Sequence, residues 1–159
     1  MIDTRDFVDD IKQYLKQRVV ELNSDFSKLE TYTAYTYEHK PTPPEIDVYI
    51  NDDSEDDMSN SYDGENLSVI SLNIYCYADA MKLNGSNEKT SAVDTTTLLA
   101  QYVKQLLTKN EIISFNPNVI SSKRTAYTGA MNVRDTVLYV AILRYDFKIL
   151  NNYTKIYNN

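Results

Sequence analysis

A helix is predicted near the start of the chain, from residue 4 to residue 22. Apolar side chains recur there at steps of three and four residues, which aligns them on one face of a helix. Asp3 or Thr4 can cap the N-terminus, and Asp6 complements the positive end of the helix dipole. The predicted apolar face consists of Phe7, Val8, Ile11, Tyr14, Leu15, Val19 and Leu22.

Three segments of the first half predict β-strands. Residues 29–37 alternate between two faces and are rich in Thr and Tyr, until a proline-rich stretch breaks the pattern. Residues 46–50 alternate apolar and polar side chains, as a half-buried strand does. Residues 65–79 form a longer alternating run. Its predicted core-facing side chains are Ile70, Leu72, Ile74, Cys76 and Ala78.

A second helix is predicted from Ser91 to Lys109. Asp94 follows Ser91 by three residues, which is a variant of the capping box. Lys109 complements the negative end of the helix dipole, and Asn110 can take the left-handed cap conformation.

Two further strands are predicted at residues 112–128 and 132–150. Pro117 implies a break or an edge position in the first of them. The second alternates through most of its length and is apolar on both faces in its middle. The whole pattern predicts a core that includes Phe7, Ile11, Leu15, Leu72, Ile74, Leu99, Val103, Leu106, Val140 and Ile142.

This order of elements predicts an α+β fold: a mostly antiparallel twisted sheet with two helices packed on one face. We expect a single domain over residues 1–150 and a flexible C-terminal tail over residues 151–159. A chain of 159 residues is the size of one domain, and such a chain buries roughly 70% of its unfolded surface.

Composition excludes several classes of protein. The formal net charge of −7 argues against a large nucleic-acid interface, and no apolar run is long enough to span a bilayer. The start, MIDTRDFVDD, lacks the pattern of a signal peptide. Tyr occurs 14 times and Trp is absent. Gly occurs only 3 times, and the phosphate-binding motif GxxxxGK[ST] is absent.

Few residues carry the chemistry of an enzyme. His39 is the only histidine and is predicted to be exposed in a loop, while Cys76 is the only cysteine and is predicted to be buried and inert. HExxH is absent, and one His with one Cys gives little support for a zinc site within one chain. We therefore expect no catalytic residues, no cofactor, no metal ion and no enzymatic activity.

Residues 51–64 form an acidic segment without a basic residue, which predicts a mobile loop between two strands. The segment that starts at Asp53 does not match the EF-hand calcium loop. Its sixth residue is Met58 where the loop needs Gly, and its twelfth is Gly64 where the loop needs Glu. A solvated loop, an interaction loop and a different cation site remain open. The acidic residues are Asp52, Asp53, Glu55, Asp56, Asp57 and Asp63.

A few cations and apolar residues gather between residues 123 and 134, where a hairpin tip is predicted. It is either an ordinary polar turn or a projecting loop that docks on a partner, since Tyr and Met are enriched at interfaces. The docking hypothesis names Lys123, Arg124, Tyr127, Met131 and Arg134.

The element order over residues 1–150 resembles the tail terminator, or tail completion, proteins of long-tailed bacteriophages and phage-like contractile particles. An amphipathic helix comes first, and PTPPEIDVYIND then leads into a strand and the acidic segment. LSVISLNIYCYA supplies a long strand, DTTTLLAQYVKQLL a second helix, and VRDTVLYVAILRYDFKI a closing strand.

The resemblance implies a structural protein that forms a homo-oligomeric ring, commonly a hexamer, on the end of the tail tube. Such a ring stops tube growth and presents a surface to head or neck connector proteins, within a virion tail assembled in the bacterial host cytoplasm. No membrane and no specific nucleic acid are expected as partners. The alternatives are another neck or head–tail connector protein, an acidic protein-binding adaptor, or an enzyme with an unrecognised carboxylate site.

Overall fold

The computed structural model describes residues 4–33, 39–51, 60–62 and 65–157. Within them, three α-helices and eight strands follow in the order α1 (Thr4–Leu22), β1 (Glu30–Tyr32), β2 (Glu45–Ile50), β3 (Asn60–Tyr62), β4 (Glu65–Tyr77), β5 (Met81–Lys82), β6 (Lys89–Thr90), α2 (Ala92–Leu106), α3 (Lys109–Phe115), β7 (Val119–Asn132) and β8 (Tyr139–Leu150). A short 3-10 turn, Ser24–Phe26, follows α1.

Six of the strands form one twisted, mostly antiparallel sheet. Its strand order is β1-β2-β4-β8-β7, and β3 pairs with the beginning of β4. The β1–β2 pair is parallel, whereas the β2–β4, β4–β8 and β7–β8 pairs are antiparallel. Strands β5 and β6 form a separate two-stranded ribbon. The predicted α+β fold is therefore confirmed.

Helices α1 and α2 pack on one face of this sheet, the core face, and close a single hydrophobic core. The apolar alternation in β2, β4 and β8 aims Ile46, Ile74 and Leu143 into that core. Nine of the ten predicted core residues are buried, and the tenth, Ile142, is half-buried on the opposite, outer face of the sheet. None of the helices in the described ranges is long and apolar enough to cross a membrane.

The second predicted helix is correct at its start and wrong at its end. Ser91 Oγ accepts a hydrogen bond from the Asp94 amide at 3.1 Å, so the predicted cap forms. Helix α2 nevertheless ends at Leu106, before the predicted end at Lys109. A separate helix, α3, begins at Lys109 and extends past Ile112, where a strand was predicted to begin. Packing decides this: the helical spacing of Ile112 and Phe115 buries both side chains in the core.

The last hairpin also differs from the prediction. Its turn comprises residues 133–138, closed by a 2.8 Å hydrogen bond from the Val133 amide to the Leu138 carbonyl. Asp135 has a φ of 60°, a left-handed conformation that short polar side chains tolerate in turns. The strand predicted at residues 132–150 includes Val137, but Val137 lies in this turn and is 85% exposed.

The C-terminal segment lies against α1. Asp10, fully buried on α1, accepts hydrogen bonds from the Tyr153 hydroxyl and from the Ile156 and Tyr157 amides. The Tyr153 ring also packs edge-on against Phe7. Where a frayed tail was expected, the structure thus gives residues 153–157 defined partners.

Candidate functional site

The five residues of the docking hypothesis all lie on the β7–β8 hairpin, but they do not form one patch. Lys123 and Arg124 lie mid-strand, opposite Asp146 and Tyr145 of β8, whereas Arg134 lies in the turn. Lys123 and Met131 lie opposite residues of β8 that are six positions apart, which corresponds to roughly 20 Å. The strand register further divides the five residues between the two faces of the sheet.

Arg124 and Tyr127 lie on the side of the sheet that carries the helices. The ammonium group of Lys104, on α2, stands 3.4 Å from the centroid of the Tyr127 ring, and the Arg124 guanidinium stands 5.8 Å from the same centroid. Partial burial, and next the charge of Arg124, lower the pKa of Lys104. Neither Lys104 nor Arg124 takes part in a salt bridge among the described residues. This side therefore presents unneutralised positive charge around one aromatic ring.

A groove of about 440 Å³ opens beside this cluster, between the end of α2 and the hairpin. Lys104 and Arg124 line it together with the polar side chains of Thr108 and Ser122. The Ser122 hydroxyl is already engaged, because it donates a 2.7 Å hydrogen bond to the Leu107 carbonyl. The groove is thus cationic and suits a carboxylate-bearing partner by charge.

Lys123 and Met131 lie on the outer face of the sheet. Lys123 is opposite Asp146, and Met131 is opposite Val140. Met131 is 49% exposed, which is large for an apolar side chain in a strand. At the turn, Arg134 makes a 3.8 Å ion pair with the neighbouring Asp135, and both side chains are almost fully exposed. Such a pair contributes little to stability.

The acidic segment is only partly described. Residues 60–62, predicted to belong to a mobile loop, form β3 and pair with residues 65–67 of β4. The six acidic residues named in the interaction-loop hypothesis lie outside the described residues. They are Asp52, Asp53, Glu55, Asp56, Asp57 and Asp63.

A polar cluster that the sequence did not predict lies on the outer face at β2. His39 Nε2 is 2.8 Å from Glu45 Oε2, and the His39 ring stacks on Tyr32 with 3.6 Å between centroids. Asp47 lies two residues beyond Glu45 on the same face, and the ligand-type atoms of the three residues all lie within 4.8 Å of one another. His39 lies outside the helices and strands, as expected, but its side chain is only 21% exposed, so the expected solvent exposure was wrong.

Asp47 is the most unusual member of this cluster. It is fully buried, and its Oδ1 has no hydrogen-bond partner among the described residues, while Oδ2 accepts from the Tyr49 hydroxyl at 3.3 Å. Burial, and next the adjacent Glu45 carboxyl, raise the pKa of Asp47 well above its usual range. The only sequence signal was two carboxylates at a spacing of two in a strand, which places them on one face.

Cys76 agrees with its prediction. It is fully buried on the core face of β4 and unpaired. Burial raises the pKa of its thiol, so the reactive thiolate is disfavoured at neutral pH.

No protein-family model matches the chain, and a search of curated proteins finds no match. The resemblance to tail terminator proteins thus remains one of element order.

Proposed function

We propose that the chain is a structural, non-enzymatic tail protein of a long-tailed bacteriophage or a phage-like contractile particle. Its copies form a homo-oligomeric ring on the end of the tail tube, which stops tube growth and offers a surface to head or neck connector proteins. The resemblance gives six as the common number of copies. One structural observation carries the proposal: β7 is a long sheet edge with exposed apolar side chains.

Strand β7 pairs with β8 on one side and has no strand on the other side among the described residues. It is 14 residues long, and residues 123–129 are all exposed. Four of the eight large exposed hydrophobic residues in the described chain belong to this hairpin: Ile120, Tyr127, Met131 and Val137. Since an open edge with apolar side chains tends to pair with another chain, it supports an assembly surface here.

The two edges of the sheet differ, which favours a head-to-tail contact. The opposite edge is β1, a strand of three residues that carries the exposed Glu30, whereas β7 carries Lys123 and Arg124. Head-to-tail contacts join two different surfaces, and they generate a closed ring when the rotation between copies closes. Glu30 already pairs with Lys16, so the charge that would steer association is the positive charge of Lys123 and Arg124 on β7.

The oligomeric state of the untagged chain tests the ring. We expect sedimentation velocity over a wide range of concentrations to show one closed multimer in equilibrium with the monomer. Raised salt is expected to shift the equilibrium towards the monomer, because exposed charges are screened. A chain that stays monomeric at every concentration, or that forms open fibres, would contradict the ring.

Matched variants test whether the hairpin forms the contact. Tyr127→Ser and Met131→Ser probe the two faces of β7, and Val93→Ser is the control, because Val93 is similarly exposed but lies at the start of α2. We expect at least one hairpin variant to weaken assembly by about tenfold or more, as loss of an interface anchor does. Equal behaviour of all three variants would remove the hairpin from the interface.

Capping itself needs the tail tube protein of the same particle. We expect tubes polymerised with the chain to be shorter than tubes polymerised alone, with a ring at one end in electron micrographs. Tubes of unchanged length would refute capping even if the chain forms rings, and the neck-connector alternative would then be favoured.

A further inference from the structure

We propose that His39, Glu45 and Asp47 form a binding site for one divalent transition-metal ion of the zinc type. This site is separate from the β7–β8 hairpin, and the proposal does not depend on the ring. Imidazole and carboxylate groups together suit such ions, and three protein ligands with a remaining open position are a common zinc arrangement.

The geometry brings the three groups together from two adjacent segments. Glu45 and Asp47 project from the outer face of β2, a strand held between β1 and β4. His39 approaches from the segment that precedes β2. Zinc bonds of about 2.1 Å place tetrahedral ligands about 3.4 Å apart. The observed separations, 2.8 Å between His39 and Glu45 and up to 4.8 Å within the trio, bracket that value.

Both carboxyl groups keep an oxygen directed at the site while their other contacts fix their orientation. Glu45 Oε1 accepts from the Thr42 amide at 3.3 Å, which leaves Oε2 facing His39. Asp47 Oδ2 accepts from Tyr49, which leaves Oδ1 without a partner although the residue is fully buried. Such outer hydrogen bonds are a regular feature of metal sites, because they hold the ligands in place.

Charge balance provides an independent argument. Glu45 is 5% exposed and Asp47 is fully buried, and burying charge without compensation is costly. Among the salt bridges of the described residues, Glu45 pairs only with His39, and Asp47 pairs with no cation. A divalent cation would balance both carboxylates. It would also fasten residues 39–44 to the sheet, and the 21% exposure of the His39 side chain gives solvent access.

Titration of the untagged, chelator-treated chain with Zn²⁺, and separately with Co²⁺, tests the site. We expect one ion per chain by calorimetry and visible absorption bands from bound Co²⁺. His39→Gln and Asp47→Asn should each weaken binding at least about 100-fold, since changes outside the ligand shell already cost 10–100-fold. Glu30→Gln is the control: it removes a carboxylate opposite Glu45 in β1 that belongs to an ion pair with Lys16.

Because His39 is the only histidine, its ring gives a single set of NMR signals. We expect Zn²⁺ to shift its Nε2 resonance in the wild type and in Glu30→Gln, but not in Asp47→Asn. If Asp47→Asn does not fold, His39→Gln still tests the site by calorimetry. Failure of both ions to bind the wild type would overturn the proposal. So would binding that His39→Gln leaves unchanged, or binding of Ca²⁺ or Mg²⁺ but not Zn²⁺. If no ion binds, a proton shared between the two carboxyl groups provides the charge balance.

Discussion

Asp10 is a buried carboxylate on helix α1 whose partners come from the other end of the chain. It accepts hydrogen bonds from the Tyr153 hydroxyl and from two backbone amides, at 2.9 Å from Ile156 and 3.1 Å from Tyr157. Burial, and next this carboxylate, raise the pKa of the Tyr153 hydroxyl, so the phenol stays a donor at neutral pH. One side chain thus holds the C-terminal segment on the first helix.

The first prediction is that Asp10→Ala releases this segment. We expect a loss of about 1.5–3 kcal/mol in the free energy of unfolding, the range for hydrogen bonds to a charged group. Amide exchange at Ile156 and Tyr157 is expected to become fast, which hydrogen-exchange NMR measures. Asp9→Ala is the control, because Asp9 makes partly exposed ion pairs with Lys12 and Lys155. Such pairs contribute at most about 1 kcal/mol. Persistent protection in Asp10→Ala would show that other contacts hold the segment.

The second prediction concerns the core face of β4. Leu72 is fully buried there, so Leu72→Ala removes buried methyl groups and leaves a cavity. We expect a destabilisation of about 2–5 kcal/mol in denaturant unfolding. Val69→Ala is the control, since Val69 lies on the outer face of the same strand and is half-buried. If the two variants lost the same free energy, the assignment of faces would be wrong.

At the scale of elements, α3 shows how packing overrides local preference. The run Ile112–Ile113 favours a strand by residue type, and Asn110 resembles a helix cap. Yet α2 stops at Leu106, and a new helix starts at Lys109. A helix buries Ile112 and Phe115 on one side, whereas a strand would place side chains three residues apart on opposite faces.

The third prediction concerns the acidic segment between β2 and β3. Deleting residues 54–58 is expected to preserve the fold and to change the free energy of unfolding by less than about 1 kcal/mol. Closure entropy depends only logarithmically on loop length, and β3 begins at Asn60, beyond the deletion. Circular dichroism and thermal unfolding check this, with Glu55→Gln/Asp56→Asn/Asp57→Asn as a control that removes the charges alone. Loss of folding on deletion, but not in the control, would reveal a packed element in this segment.

At the scale of the whole molecule, three positive charges of the β7–β8 hairpin stand out on an acidic chain. The net charge is −7, and replacing Lys123, Arg124 and Arg134 by Ser would make it −7 − 3 = −10. These cations lie on the outer face, on the helix side and at the turn respectively. They can therefore steer association from several directions, but they cannot form a single contact.

The fourth prediction is that this triple variant folds normally but caps poorly. We expect an unchanged unfolding transition, slower assembly with a weaker dependence on salt, and tails that grow beyond their normal length. Electron microscopy of tails and sedimentation of the chain check these outcomes. The single variants Lys123→Ser and Arg124→Ser then separate the two faces. Tails of normal length made with a folded triple variant would exclude these cations from capping.

Elements with a local and regular residue pattern were predictable from the amino-acid sequence alone. Helix α1 spans Thr4–Leu22, as predicted, because its apolar residues repeat at the helical period over five turns. The core-facing alternation of β2, β4 and β8 was predictable in the same way. From these elements the α+β fold class followed, since amphipathic helices and half-buried strands must cover each other's apolar faces.

Features that depend on residues distant in sequence, or on competition between alternative packings, became visible only in the folded chain. Asp10 and Tyr153 are 143 positions apart, and no local pattern relates them. His39 looked like an exposed loop residue until the fold placed it against Glu45 and Asp47. The choice between helix and strand after Leu107, and the division of the hairpin residues between two faces, were set by core packing and strand register. Both are properties of the assembled sheet and helices, which residue periodicity does not encode.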